Sequence, residues 1–231
     1  IKKKNSPTIV KKRFLDHVSN NKVLGVYKIN YDALTAGDEK LFSDKLKKLL
    51  PKYDIIVVSD YGHGFISKKS SKIICKHSKY LALNAQVNAA NVGYHSMRNY
   101  KNVDCVIIND REIHQEMRDK NNKTEILMKK LSFQQEIDNL VVTRGKEGAL
   151  FYSKKHNKYN SSQAYADTVV DKVGAGDAML SIIALCLKSG FSRELSLLMG
   201  SLAAAQSTET IGNKESVSKI KIFKTLEHLL K

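Results

Sequence analysis

The stretch Asp171–Leu180, DKVGAGDAML, decides the fold. Gly174 and Gly176 flank Ala175, and Asp177 follows where a long apolar run begins. Met179, Ile182, Ile183, Cys186 and Leu187 recur at i, i+3, i+4, i+7 and i+8, the spacing of a helix with one buried face. Small residues at a helix start leave backbone N–H groups open, and those donors attract oxyanions together with the helix dipole. Asp177 in that first turn has two readings. It can offset the dipole and no more. Alternatively it is a general base, taking a proton from an acceptor hydroxyl while the N–H groups of Gly174, Ala175 and Gly176 hold a transferring phosphoryl group.

Outward from this motif, three apolar runs end on polar residues: YDIIVVSD, VDCVIIND and NLVVTRG. Each reads as a buried parallel strand. Helical patterns fall between them. Phe42, Leu46, Leu49 and Leu50 share a face that stops at Pro51; Ile73, Ile74 and His77 mark a second helix, and Arg111 to Leu131 further ones. YLALN reads as a short strand, and EGALFYS with the stretch to Val170 as antiparallel strands. Leu195, Leu198, Met199 and Leu202 mark another helix, and IFKTLEHLL a terminal one. At the front, PTIVKKRFLD and KVLGVYKIN flank HVSNN, so Pro7–Asn30 reads as a β-hairpin that projects from the core. Strands alternating with helices predict a layered α/β domain around a mainly parallel sheet, with ligands beyond the carboxyl ends of the strands.

Composition narrows the classes. The 231 residues are 42% hydrophobic, enough for one well-cored domain. The longest apolar stretch, near Ala178–Leu187, is broken by Ser181 and too short to span a bilayer. IKKKNSPT is basic, but no apolar run follows it to make a signal peptide. Three cysteines, Cys75, Cys105 and Cys186, sit in apolar surroundings and read as reduced core thiols of a cytoplasmic protein. The formal charge of +16 is spread as lysines, in KKLLPK, SKKSSK and KSGFSR, without an arginine block interleaved with aromatics. That favours a general lysine surface drawing in phosphorylated ligands over a nucleic-acid footprint. CKH at Cys75–His77 has no partner ligands at zinc spacing.

DKVGAGDAM resembles the D-T-x-G-A-G-D-x-F signature of the ribokinase-like (PfkB) carbohydrate kinases. INDRE carries Asn109 and Glu112 in that family's N-x-x-E spacing, and VVTRGKEGALFY resembles its T-x-G-x-x-G nucleotide turn through Thr143, Gly145 and Gly148. ETIGNKESV resembles its end loop near the adenine. Within the family the resemblance is strongest to the heptose-7-phosphate kinase branch. PTIVKKRFL is similar to that branch's P-T-x-x-K-x-R strand and VVSDYGHGFIS to its S-D-Y-x-K-G turn, with His63 in place of lysine. Lys172 stands where threonine or serine is common, Asn84 where those kinases carry an aspartate, and the run Val87–Lys101 is long.

The resemblance implies a three-layer α/β/α ribokinase-like fold, with residues 1–30 as a hairpin lid or clasp and 31–231 as the nucleotide-binding and catalytic core. It also implies a leading segment of strands before the hairpin, so the chain reads as one that starts part-way through the fold. The activity implied is ATP-dependent phosphorylation of a sugar or sugar phosphate, with Mg2+, in a homodimer joined through the hairpin. Asp177 would be the base and Gly174 to Asp177 the anion hole. Asn109 and Glu112 would place the magnesium–phosphate unit; Thr143, Arg144, Gly145 and Gly148 would line the nucleotide, and Ser201 the adenine. Asp171 would hold a monovalent cation such as K+, and Asp60 and His63 would face the acceptor.

Each assignment has a plainer counterpart. Asn109 and Glu112 also fit a helix cap with a first-turn acid. Gly145 and Gly148 also fit a turn between strands, and Asp60 with His63 an Asx-turn beside a surface histidine. At the level of the whole chain, the alternatives are a nucleotide- or sugar-binding module without turnover, and nucleic-acid binding through the lysines.

Overall fold

The computed structural model describes residues 1–3, 5–17, 22–86, 91, 95–166 and 168–229, the side chains of Lys22 and Asn213 excepted. The expected hairpin turn at 18–21, and residues 87–90 and 92–94 of the long Val87–Lys101 run, lie outside them.

Strands β1 (Val10–Leu15) and β2 (Lys22–Lys28) pair antiparallel as a separate two-stranded sheet. The main sheet has six strands in chain order: β3 (Ile56–Asp60), β4 (Leu81–Ala85), β5 (Val103–Asn109), β6 (Ile137–Thr143), β7 (Ala149–Ser153) and β8 (Lys158–Ser162). β3 to β6 run parallel, and β7 and β8 return antiparallel. Side-chain alternation sorts the core into two layers. Leu81, Leu83, Val106, Ile108, Leu140 and Val142 face one way, onto α2 (Lys68–His77), α3 (Asp110–Met117) and α4 (Thr124–Gln135), with Leu46 of α1 (Ala36–Leu49) packed on the same cluster. Ala82, Cys105, Ile107, Val141 and Phe151 face the other way, onto α5 (Ala175–Lys188) and Leu197 of α6 (Arg193–Thr208). Ile222 of α7 (Lys219–Leu229) completes that side against Leu202 and Ala203. Three layers result. Gly200 lets α6 close on α5, because a methyl there would meet Ile183 Cγ1 at 2.4 Å.

Two elements differ from the sequence reading. β3 was expected to be buried on both faces, yet Val57 is 48% exposed. The apolar run is right for a parallel strand, but β3 is the sheet edge with β4 as its one strand neighbour among the described residues. The stretch to Val170 is strand only over Lys158–Ser162. Beyond it the chain leaves the sheet, and the N–H groups of Val170 and Asp171 donate to Thr208 O at the end of α6.

Register sets the strand ends in line. Asp60 is level with Ala85, and Asn109 with Thr143, so the polar residues ending β3, β5 and β6 share one edge of the sheet. α5 packs against β3, β4 and β5.

Candidate active site

At the start of α5, Gly174 is the N-cap with φ 89°, a left-handed conformation that glycine adopts without strain, and no side chain caps the helix. Ala178 N–H donates to Gly174 O at 2.9 Å, and Ala175 N–H reaches Lys172 O only at 3.5 Å. Among the described residues, the N–H groups of Gly176 and Asp177 have no protein acceptor. The approach to them is open: a Cβ on Gly176 would find Asn84 Nδ2 at 3.8 Å and nothing nearer. Free donors at the positive end of a four-turn helix form a site for an oxyanion.

The Asp177 carboxylate is half-buried and turned toward the end of β3. Ser59 Oγ donates to Oδ1 at 3.0 Å and Tyr61 Oη to Oδ2 at 3.2 Å. Burial, with the carboxylate alongside, pushes the Tyr61 phenol above its ordinary value, so it stays a donor.

Asp60 points to the opposite face. Its Oδ2 accepts from Tyr100 Oη at 2.7 Å and its Oδ1 from Gly62 N–H at 3.0 Å, with His95 Nε2 3.9 Å away. Asp60 is 6% exposed, so the geometry realises the Asx-turn rather than a carboxylate offered to a ligand. His63 is half-buried instead of on the surface. Its ring stacks on Tyr61 at 6.1 Å and meets Tyr31 edge-on at 5.3 Å, and neither ring nitrogen has a hydrogen-bond partner among the described residues. Burial first, then the Lys11 ammonium, lowers its pKa.

The hairpin brings cations to this place. Lys11 of β1 lies over the Tyr61 ring, 4.9 Å from its centroid. Burial and then Arg13 depress its pKa. Neither Lys11 nor Arg13 pairs with a carboxylate among the described residues. Lys3 Nζ donates to Asn30 O at 2.9 Å and His63 O at 3.5 Å, pinning the chain before and after the hairpin to this turn.

Of the residues expected on the nucleotide side, Asn109 and Thr143 fall at the same sheet edge. Asn109 caps α3: its Oδ1 accepts from Glu112 N–H at 2.8 Å, and Glu112 Oε2 accepts from Asn109 N–H at 3.0 Å. This is a capping box, with Glu112 only 6% exposed. Thr143 ends β6. Arg144 N–H donates to Gly148 O at 2.8 Å, closing the turn into β7. A side chain at Gly148, φ 79°, would meet Ser162 O at 1.9 Å, whereas Gly145 at φ 59° faces open space. Ser201 is buried on α6 with its hydroxyl unpaired among the described residues. Asp171 is a tether: Oδ1 accepts from Val173 N–H at 3.0 Å and Oδ2 from Gly212 N–H at 2.9 Å, joining the loop before α5 to the end loop. Among the described residues, no three His, Cys, Asp or Glu side chains are arranged to hold a metal. Magnesium carried on nucleotide phosphates needs only one or two protein carboxylates, and Glu112 is the carboxylate at this edge, 6% exposed and engaged in the α3 capping box.

Sequence reasoning missed Ser59, Tyr61 and Tyr100. The signal was the period of two along β3. Val58 packs in the α2–α4 layer, so Asp60 shares that side, while Ser59 shares the α5 side where Asp177 lies.

Residues 17–220 match the profile described as pfkB family carbohydrate kinase. A protein from Campylobacter jejuni described as "Bifunctional protein HldE" is 25% identical over 230 residues, which are 97% of this chain and 47% of that protein. Another of that description, from Desulfatibacillum aliphaticivorans, is 25% identical over 71% of this chain and 33% of its own length. The chain thus spans between a third and half of these relatives. Among solved structures, phosphofructokinase-2 from Escherichia coli in complex with potassium superposes with a TM-score of 0.75 at 15% identity, over 96% of this chain and 71% of that one. Ribokinase from Thermotoga maritima gives 0.72 at 16%, over 96% and 70%. The fold is ribokinase-like.

Proposed function

The chain belongs to the pfkB family of carbohydrate kinases, and we propose that it transfers the γ-phosphate of ATP to a hydroxyl of a sugar phosphate, heptose 7-phosphate being the first acceptor to test. One observation carries the reading: a carboxylate, Asp177, lies beside the N–H groups of Gly176 and Asp177, which have no acceptor among the described residues, at the mouth of α5. Phosphoryl transfer needs positioning and charge neutralisation more than covalent chemistry. Asp177 accepts the proton of the acceptor hydroxyl, and the backbone donors at Gly174–Asp177 bind the oxygens of the migrating group. Magnesium, when bound with the nucleotide, neutralises phosphate charge; Asn109 and Glu112 at the strand edge would orient it, and the Thr143–Gly148 turn, with Arg144, would line the nucleotide. Ser201 keeps a spare hydroxyl on the adenine side, and Asp171, in the loop it tethers, is where a potassium ion would sit.

The acceptor is read as phosphorylated because Lys11 lies over Tyr61 with Arg13 close enough to depress its pKa and His63 nearby, and neither cation pairs with a carboxylate among the described residues. Two like charges held close favour an anion. The hairpin acts as a lid over the acceptor. Its exposed Phe14, Val23, Leu24 and Val26 are the surface through which we place a second copy of the chain. Three free thiols fit a reducing cytoplasm.

The test is ADP release against a panel of sugars and sugar phosphates, with Arg13→Ala alongside. The reading expects turnover on a phosphorylated acceptor, and a KM for it that rises in the variant while KM for ATP holds. No turnover on any acceptor, with nucleotide still bound, would favour the module without turnover.

A further inference from the structure

The placement of Asp177 poses a problem that the fold solves with two hydroxyls. Counting from the N-cap at Gly174, Asp177 is the third residue of its helix. An acid at that position has a competing use: it can bend back and accept from its own helix's first N–H groups. Glu112 does this three residues after its own N-cap, with Oε2 3.0 Å from Asn109 N–H. Were Asp177 to do the same, it would turn back onto the N–H of its own N-cap, Gly174, at the mouth of the phosphate site, and leave the acceptor hydroxyl without a base.

We propose that Ser59 and Tyr61 are positioning residues that hold the Asp177 carboxylate off its own helix and aim it at the acceptor. This rests on Asp177 being the base. Each takes one oxygen, Ser59 Oγ on Oδ1 at 3.0 Å and Tyr61 Oη on Oδ2 at 3.2 Å. The two donors are anchored differently. Ser59 is fixed by the sheet, its residue paired in register with Asn84. Tyr61 lies just past the strand, where the Asp60–Gly62 bond shapes the turn and His63 and Lys11 contact its ring. A hydrogen bond to a charged group is stronger than one between neutral groups, enough to select one carboxylate rotamer over another. Because Lys11 belongs to the hairpin, the lid touches the base through this tyrosine.

Tyr61→Phe keeps the ring, its stacking and the lysine contact and removes only the donor. Ser59→Ala removes the other donor, and Ser59→Thr restores it. Steady-state kinetics of the purified protein should show kcat down about tenfold in Tyr61→Phe and in Ser59→Ala. KM for ATP should stay within about twofold, and Ser59→Thr should regain most of the loss. A purely structural role would instead lower the melting temperature and shift kcat and both KM values together, and that pattern overturns the proposal. Wild-type kcat in both variants, while Asp177→Asn is inert, overturns the positioning role and leaves the base in place. Full activity in Asp177→Asn removes the base, and this proposal with it.

Discussion

Replacing Asp60 with alanine separates two roles, a carboxylate that holds the protein together and one that meets the acceptor. Tyr100 is 0% exposed, and its hydroxyl has Asp60 Oδ2 as acceptor at 2.7 Å. Burial, then the nearby Asp60 charge, raises the Tyr100 pKa, so the hydroxyl is protonated wherever the protein is folded. Without Asp60 that donor is stranded, which costs about 1–3 kcal/mol. Loss of the 3.0 Å bond to Gly62 N–H costs a further 0.5–1.5 kcal/mol or so. Asp60→Ala should therefore destabilise by about 2–4 kcal/mol, lowering the melting temperature by roughly 5–15 °C for a domain of this size. Circular dichroism melts read the loss. The double variant Asp60→Ala/Tyr100→Phe should recover about 1–3 kcal/mol, because no buried hydroxyl is then unpaired. An Asp60→Ala protein with an unchanged melting temperature and a raised acceptor KM would refute this reasoning and move Asp60 into the acceptor site.

Gly148→Ala should be severe, because the added carbon meets Ser162 O at 1.9 Å in a left-handed backbone; a loss of about 3 kcal/mol or more should show in the same melts. His63 titrates below its ordinary value of 6.5, from burial first and Lys11 second. The unfolded chain therefore takes up the proton first, so stability present above pH 6.5 is lost as pH falls below it. His63→Gln should flatten that decline in urea midpoints measured across pH 5 to 8. Asn109→Ala removes the α3 cap and should cost about 1 kcal/mol, and it should also raise KM for the magnesium–nucleotide in steady-state assays.

The layered fold was legible because its signals are local. Apolar runs ending in polar residues gave β5 and β6, and the i, i+3, i+4 spacing from Met179 gave α5. What escaped depends on neighbours. Whether β3 is central or at the edge is set by what lies beside it, and YDIIVVSD reads the same in either position. Within the site, glycines and the aspartate of the α5 motif were visible since small residues before a helix carry a backbone meaning. The partners of Asp177 were not: Ser59 and Tyr61 lie 118 and 116 residues away along the chain. Asp60 stayed open between two readings because a polar residue at a strand end can face either layer. The alternation through Val58 already assigned it to the side of Tyr100.

Asp177→Asn keeps the size of the side chain and the free N–H groups of the helix, but removes the capacity to take a proton. Measured side by side, kcat and the dissociation constant for ATP test the account at its centre. It predicts a kcat lower by about 100-fold or more, with ATP bound as tightly as by the unaltered protein. Turnover within a few-fold of the unaltered protein would contradict it.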